Sequence, residues 1–301
     1  MGIGGMHIRR RLALFATLIG CSSAVLFGPA KVRADGEPVV AAHDRTGRLV
    51  AFPGKVATAC PIQAARTALI LAIGQSNAGN HGALREVTRH PGHVLNVFDG
   101  KCYEAASPLL GTTGEGGEFL TPLADRLIDD GLYDRVLIVA AAVGGTPIAR
   151  WQKGGDLNDG ALAVLRALPA GYKVSQVIWH QGESDRDLGT SGAAYGASFA
   201  SLVGTLRDAG VAAPVFVGIT TVCGSTPAEG AEISRAQAAL VDDRSVLLGA
   251  NADAMLGEAD RQADRCHLSA SGQRKLAASY AAAIEKARGV RPGLSAASLK
   301  E

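Results

Sequence analysis

The feature that most constrains this chain is a run of apolar residues that stops against glycine. Residues 68–73 read Ala-Leu-Ile-Leu-Ala-Ile and give way at once to Gly74-Gln75-Ser76-Asn77, followed by Ala78 and Gly79. Six consecutive apolar residues are too few for a typical helix and have the length of a strand buried on both faces. Such strands belong to parallel sheets covered by helices, whose ligands bind in the crevice beyond the carboxyl ends of the strands. A serine just past such an end is positioned either as a nucleophile or as the cap of a following helix. Its own neighbours leave both readings open.

The pattern recurs. Residues 135–143 (RVLIVAAAV) run into Gly144-Gly145-Thr146-Pro147, and residues 174–179 (VSQVIW) run into His180-Gln181-Gly182-Glu183-Ser184-Asp185. Shorter strands are expected at 94–98, 214–221 and 245–248, and helices at 118–130, 159–168, 193–209, 229–240 and 269–287. The glycine-rich stretch 111–117 reads as a flexible loop, and Asp44 to Arg48 reads as the turn of a hairpin or loose edge structure. Strands alternating with helices predict βαβ units and a parallel sheet with helices on both faces. All three polar turns then fall on one sheet edge. A fourth polar group, Asp264 and His267, stands just before the closing helix.

That convergence suggests chemistry. A serine hydroxyl needs a base, and His267 is the candidate. Asp264, three residues earlier, can reach the other imidazole nitrogen from within one turn. An oxyanion needs donors already in place, and the N–H groups of Ser76 and Gly145 and the side-chain amide of Gln181 are candidates. Trp151 and Arg150 are candidate sugar contacts or, equally, core packing and a solvated charge. His81 and His90 read as surface residues, and Asp185 and Asp187 as turn residues.

The order Gly74-Gln75-Ser76-Asn77, Gly144-Gly145-Thr146-Pro147-Ile148 with Trp151, Trp179-His180-Gln181-Gly182-Glu183-Ser184-Asp185, and Asp264-x-x-His267 resembles the SGNH hydrolase superfamily. The closer resemblance is to the branch of sialate O-acetylesterases and carbohydrate esterase family six acetylxylan esterases. It implies a flavodoxin-like three-layer α/β/α sandwich with a central, mainly parallel sheet. It also implies serine-dependent removal of acetyl groups from a carbohydrate, with no cofactor and no metal. Carried onto this chain, Ser76 is the nucleophile, His267 and Asp264 the base and its orienter, and Ser76, Gly145 and Gln181 the oxyanion hole. Glu183 is a supporting or alternative acid, and Gln75, Asn77, Arg150 and Trp151 are candidate substrate contacts. Envelope acetyl transfer, or a carbohydrate-binding relative without activity, fits the same fold.

The amino terminus reads as a targeting segment. Arg9-Arg10-Arg11 precede an apolar stretch to Phe27, and Val32-Arg33-Ala34 offers a cleavage site. The expected division is a signal peptide over 1–34, a lead segment over 35–66, the esterase domain over 67–288 and a flexible tail over 289–301. The protein would be exported, periplasmic or secreted, without a stable membrane span. The rival is a lipoprotein attached through Cys21, at the end of Leu18-Ile19-Gly20-Cys21. Five basic residues and no acidic one leave with the signal, so the formal charge moves from +2 to −3. A mildly acidic remainder without a Lys/Arg cluster carries no footprint for nucleic acid. Cys60, Cys102, Cys223 and Cys266 permit two disulfides in an exported chain. Sequence does not choose among the three pairings; Cys60 with Cys102 and Cys223 with Cys266 brackets neighbouring strands. Oligomeric state is not legible.

Overall fold

The computed structural model describes residues 1–2 and 40–289. The expected signal peptide, the Cys21 lipidation site and nearly all of the expected tail lie outside the described residues.

The lead segment forms an antiparallel pair, β1 (Ala42–His43) with β2 (Leu49–Ala51), closed by the Asp44 to Arg48 turn. Asp44 Oδ1 accepts from the Thr46 and Arg48 N–H groups and so fixes the turn. β3 (Ala57–Thr58) leads to the organising strand, β4 (Thr67–Gly74), with every residue buried. The remaining strands are β5 (Val94–Phe98), β6 (Lys101–Glu104), β7 (Arg135–Ala140), β8 (Gln176–His180), β9 (Val215–Ile219) and β10 (Val246–Asn251). The helices are α1 (Leu120–Asp129), α2 (Asp156–Arg166), α3 (Glu183–Leu188), α4 (Gly192–Asp208), α5 (Ala231–Ala239), α6 (Ala252–Met255) and α7 (Ala270–Ala287).

Eight strands make one sheet in the order β10-β9-β8-β4-β7-β5-β6-β3. The six strands from β10 to β5 are parallel, and β6 and β3 add an antiparallel edge. β4 shows why the sheet has two covered faces. Ala68, Ile70 and Ala72 pack with Leu123 and Leu127 of α1 and Leu276, Tyr280 and Ile284 of α7. Leu69, Leu71 and Ile73 pack instead with Leu157 of α2, Phe199 and Leu202 of α4, and Ile233 of α5. Successive side chains of a strand point to opposite faces, so a continuous apolar run fills two cores at once. Each fully buried Leu or Ile contributes roughly 1.5–3 kcal/mol of transfer free energy. The result is the expected α/β/α sandwich.

Parallel pairing aligns the carboxyl ends of the strands. Gly74 of β4 stands beside His180 of β8, and Ala72 beside Ala140 of β7. β4 is followed in the chain by a strand on one side of it, while β8 lies on the other, which makes its end the switch point of the sheet. Two local expectations differ from the structure. The 111–117 stretch is not a free loop: Thr112 and Thr113 are buried, and Thr112 Oγ1 donates to the Ala142 carbonyl at 2.8 Å. Asp185 and Asp187 are not turn residues: both lie in α3, where Asp185 is buried and its Oδ2 accepts the Ile148 N–H at 2.8 Å.

His180, which opens the His180–Asp185 run after β8's apolar residues, is structural. It is fully buried, its Nδ1 lies 3.1 Å from the Tyr280 hydroxyl, and burial pushes its pKa down to about 3. An imidazole with a depressed folded-state pKa stabilises the fold above the unfolded value near 6.5, and that contribution disappears as pH falls. Between pH 6.5 and about 3, His180 alone should remove up to about 1.4 kcal/mol of stability per pH unit. Thermal unfolding at pH 7, 6 and 5 measures this, and His180→Gln should flatten the dependence.

Candidate active site

The strand ends and the loop before α7 enclose a cavity of about 350 Å³. It is lined by Ser76, Gln75, Glu183 and His267, and by His81, Thr113, Gly144 and Gly145. Ser184, Asp187, Cys223 and Cys266 complete the wall. Another cavity, of about 200 Å³ near Val97, Phe98 and Leu168, is lined by no serine, cysteine or histidine.

Ser76 opens a 3-10 turn, Ser76–Ala78, directly after β4. Gly74 makes the break possible. Its φ is +133°, and a Cβ there would fall on the backbone of His180. Neither the Ser76 hydroxyl nor its N–H finds a partner among the described residues. The N–H at Gly145, where φ is +67°, is likewise free, whereas the Gly144 N–H is held by Thr113 Oγ1 at 2.8 Å.

The base side is built by one tight turn. Asp264 Oδ1 accepts the N–H groups of Cys266 and His267 at 2.9 and 3.0 Å, with Arg265, between Asp264 and Cys266, in the left-handed region. Asp264 Oδ2 then lies 2.7 Å from His267 Nδ1. Partial burial works to raise the Asp264 pKa, but the hydrogen bonds from Cys266 and His267 outweigh it and hold the carboxyl below its ordinary value. With Nδ1 directed at a carboxylate, Nε2 is left to accept a proton. The loop is fixed to its surroundings by the Cys223–Cys266 disulfide; the other bridge joins Cys60 to Cys102. Both match the strand-bracketing pairing.

Glu183 makes no hydrogen bond or ion pair with His267. Its Oε1 accepts from Asn77 Nδ2 and Thr220 Oγ1, its Oε2 has no partner among the described residues, and burial raises its pKa.

Four of the residues expected to meet substrate are placed otherwise. Gln181 is fully buried and outside the cavity wall; its amide donates to Gln75 Oε1, the Thr146 carbonyl and Asp185. The amide that reaches the wall is that of Gln75. Its Oε1 accepts from Gln181 and from the Ser184 N–H, which leaves Nε2 without an acceptor among the described residues. Asn77 is buried and ties the serine turn to Glu183 and to the Cys266 carbonyl. Trp151 is core, edge-on to Trp179 and donating to Thr146 Oγ1. Arg150 is engaged by Asp156 through two bonds of 3.0 and 2.6 Å. His81, read as a surface residue, instead stacks on His267. His90 does lie near the surface, paired with Asp129.

The sequence model of the carbohydrate esterase, sialic acid-specific acetylesterase family (SASA) matches residues 66–286. The chain belongs to this family. A comparison with curated proteins finds no match. Among solved structures, this acetylesterase-family chain is similar to a protein from Arabidopsis thaliana, with TM-score 0.58 and 21% identity over 73% of this chain and 98% of that one. It is also similar to NanS, with TM-score 0.53 and 16% identity over 73% and 97%. A family 3 carbohydrate esterase from Clostridium thermocellum aligns with TM-score 0.51 and 14% identity over 74% and 98%. These likenesses support the fold. Among the described residues of this SASA-family chain, no helix is long and apolar enough to cross a membrane, and no group of three His, Cys, Asp or Glu could hold a metal ion.

Proposed function

We propose that the protein is an exported serine esterase that removes O-acetyl groups from a carbohydrate through an acetyl-enzyme. The observation that carries this reading is a single cavity walled by the unpartnered Ser76 hydroxyl and by His267, whose other nitrogen is bonded to Asp264.

His267 Nε2 takes the Ser76 proton as Oγ attacks the acetyl carbonyl carbon. The oxyanion meets the N–H groups of Ser76 and Gly145 and the Gln75 amide, and Asp264 balances the imidazolium. The ester C–O bond then breaks, and the sugar oxygen leaves with the proton held by His267. Water repeats the sequence on the acetyl-serine, releasing acetate. Export is supported by the two disulfides. The reading includes cleavage after Ala34, which amino-terminal sequencing of the secreted protein tests directly.

Acetate release from acetylated sialic acid, acetylated xylan and acetylated peptidoglycan, with and without Ser76, tests the activity and selects the sugar. No release from any of them would overturn it. The choice of acid has its own test. Asp264→Ala should lower kcat about 10³-fold, since the imidazole loses its orientation and its counter-charge. Glu183→Gln should change kcat by less than about tenfold, because the replacement keeps the Oε1 acceptor and fills the same volume. The reverse ranking would make Glu183 the acid.

A further inference from the structure

His81 follows the serine turn, and its ring is packed among His267, Thr113, Gly114 and Gly144. It stacks on His267 with centroids 5.1 Å apart and planes 20° from parallel. A Cβ at Gly114 would stand 2.9 Å from its Cδ2, and one at Gly144 would stand 3.2 Å from its Nε2, so two glycines make the slot. Its Nε2 is 3.0 Å from Thr113 Oγ1, the same oxygen that accepts the Gly144 N–H. The backbone is clamped as well. Gln262 donates through Nε2 to the His81 carbonyl and through its N–H to the His267 carbonyl, both at 2.7 Å. The Ala83 N–H donates to the Leu268 carbonyl.

We propose that His81 is a positioning residue, whose imidazole backs the His267 ring and, through Thr113, links the base to the Gly144-Gly145 turn. The inference rests on the reading of His267 as the base. A ring stacked on one face limits rotation about the His267 side-chain bonds and leaves the edge bearing Nε2 free to meet Ser76. Neutrality matters because His267 gains a proton during each half of the reaction, and a second cation at this distance would oppose it. Burial, and secondarily the charge of His267, push the His81 pKa down to about 4. The other charged groups around the pair are Asp264 on the His267 turn, Glu183 and Asp187 in the cavity wall, and Arg261 and Arg265 on the approach to His267.

Three variants test this, His81→Ala, His81→Phe and His81→Lys, with 4-nitrophenyl acetate as the probe. His81→Ala should lower kcat about tenfold with KM changed less than about twofold. His81→Phe, which refills the slot, should recover more than half of that loss on a logarithmic scale. His81→Lys should move the acidic limb of the kcat/KM profile to lower pH by about half a unit or more, since a neighbouring cation disfavours protonated His267. NMR titration of the His267 ring in wild type and His81→Lys reads the same shift without turnover, so it separates this inference from the esterase reading. An unmoved His267 midpoint, or a His81→Ala effect confined to KM, overturns the proposal. If the alanine variant does not fold, the phenylalanine and lysine variants decide.

Discussion

Ser76→Ala is expected to lower acetate release by about 10⁴-fold or more while the protein stays folded. Turnover should collapse because the oxygen that would be acylated is removed, and Thr113, another hydroxyl of the cavity wall, is engaged by His81 and by the Gly144 N–H. The fold should persist because the Ser76 hydroxyl has no hydrogen-bond partner among the described residues, so its loss leaves no buried group unpaired. Residual rate over the uncatalysed reaction is expected, since the N–H groups of Ser76 and Gly145 remain. The comparison needs acetate release and a thermal unfolding curve for both proteins. An unchanged unfolding curve with turnover within tenfold of wild type would remove Ser76 from the mechanism.

Gly74→Ala should act on the fold itself. The added methyl would overlap the carbonyl, carbonyl carbon and nitrogen of His180, all backbone atoms of the adjacent central strand, and φ at +133° is unfavourable for any side chain. Neither obstacle can be relieved by rotating a side chain. A loss of at least about 3 kcal/mol is expected. For a domain of this size that is a fall in unfolding temperature of about 10 °C, or failure to fold. Gly145→Ala supplies the contrast. No atom lies within 4 Å of a Cβ there, so only the strain of φ at +67° is added, about 1–2 kcal/mol. Equal unfolding temperatures for the two variants would show that the β4–β8 contact yields more than its geometry suggests.

What was legible in the sequence was what is encoded locally. Continuous apolar runs announced β4, β7 and β8, because strands buried on both faces leave no polar alternation to confuse the reading. The Asp264–His267 pair was legible because both residues sit in one short turn. Orientation was not legible. Asn77 and Gln181 have the chemistry of substrate contacts, but tertiary packing turns their amides toward Glu183, Thr146 and Asp185. Gln75, one residue from Ser76, has the amide that reaches the wall. Trp151 was lost to the core and Arg150 to Asp156 for the same reason. His81 carried no signal, since its partner is distant in sequence and its slot is defined by Gly114 and Gly144. α3 was hidden because Glu-Ser-Asp-Arg-Asp-Leu has no apolar period. β6 and β3 were too short and mixed in character to stand out.

The order of strands across the sheet has a consequence for how such a chain matures. β4 is an early central strand, yet both of its neighbours, β7 and β8, are made after it, and His267 is made after every strand. During vectorial synthesis Ser76 therefore emerges long before His267. A chain interrupted anywhere before His267 would carry Ser76 without the Asp264–His267 pair. Hydrolytic activity is thus a late property of the polypeptide, acquired only when its first and last thirds have met, and its appearance can serve as a clock for completed folding.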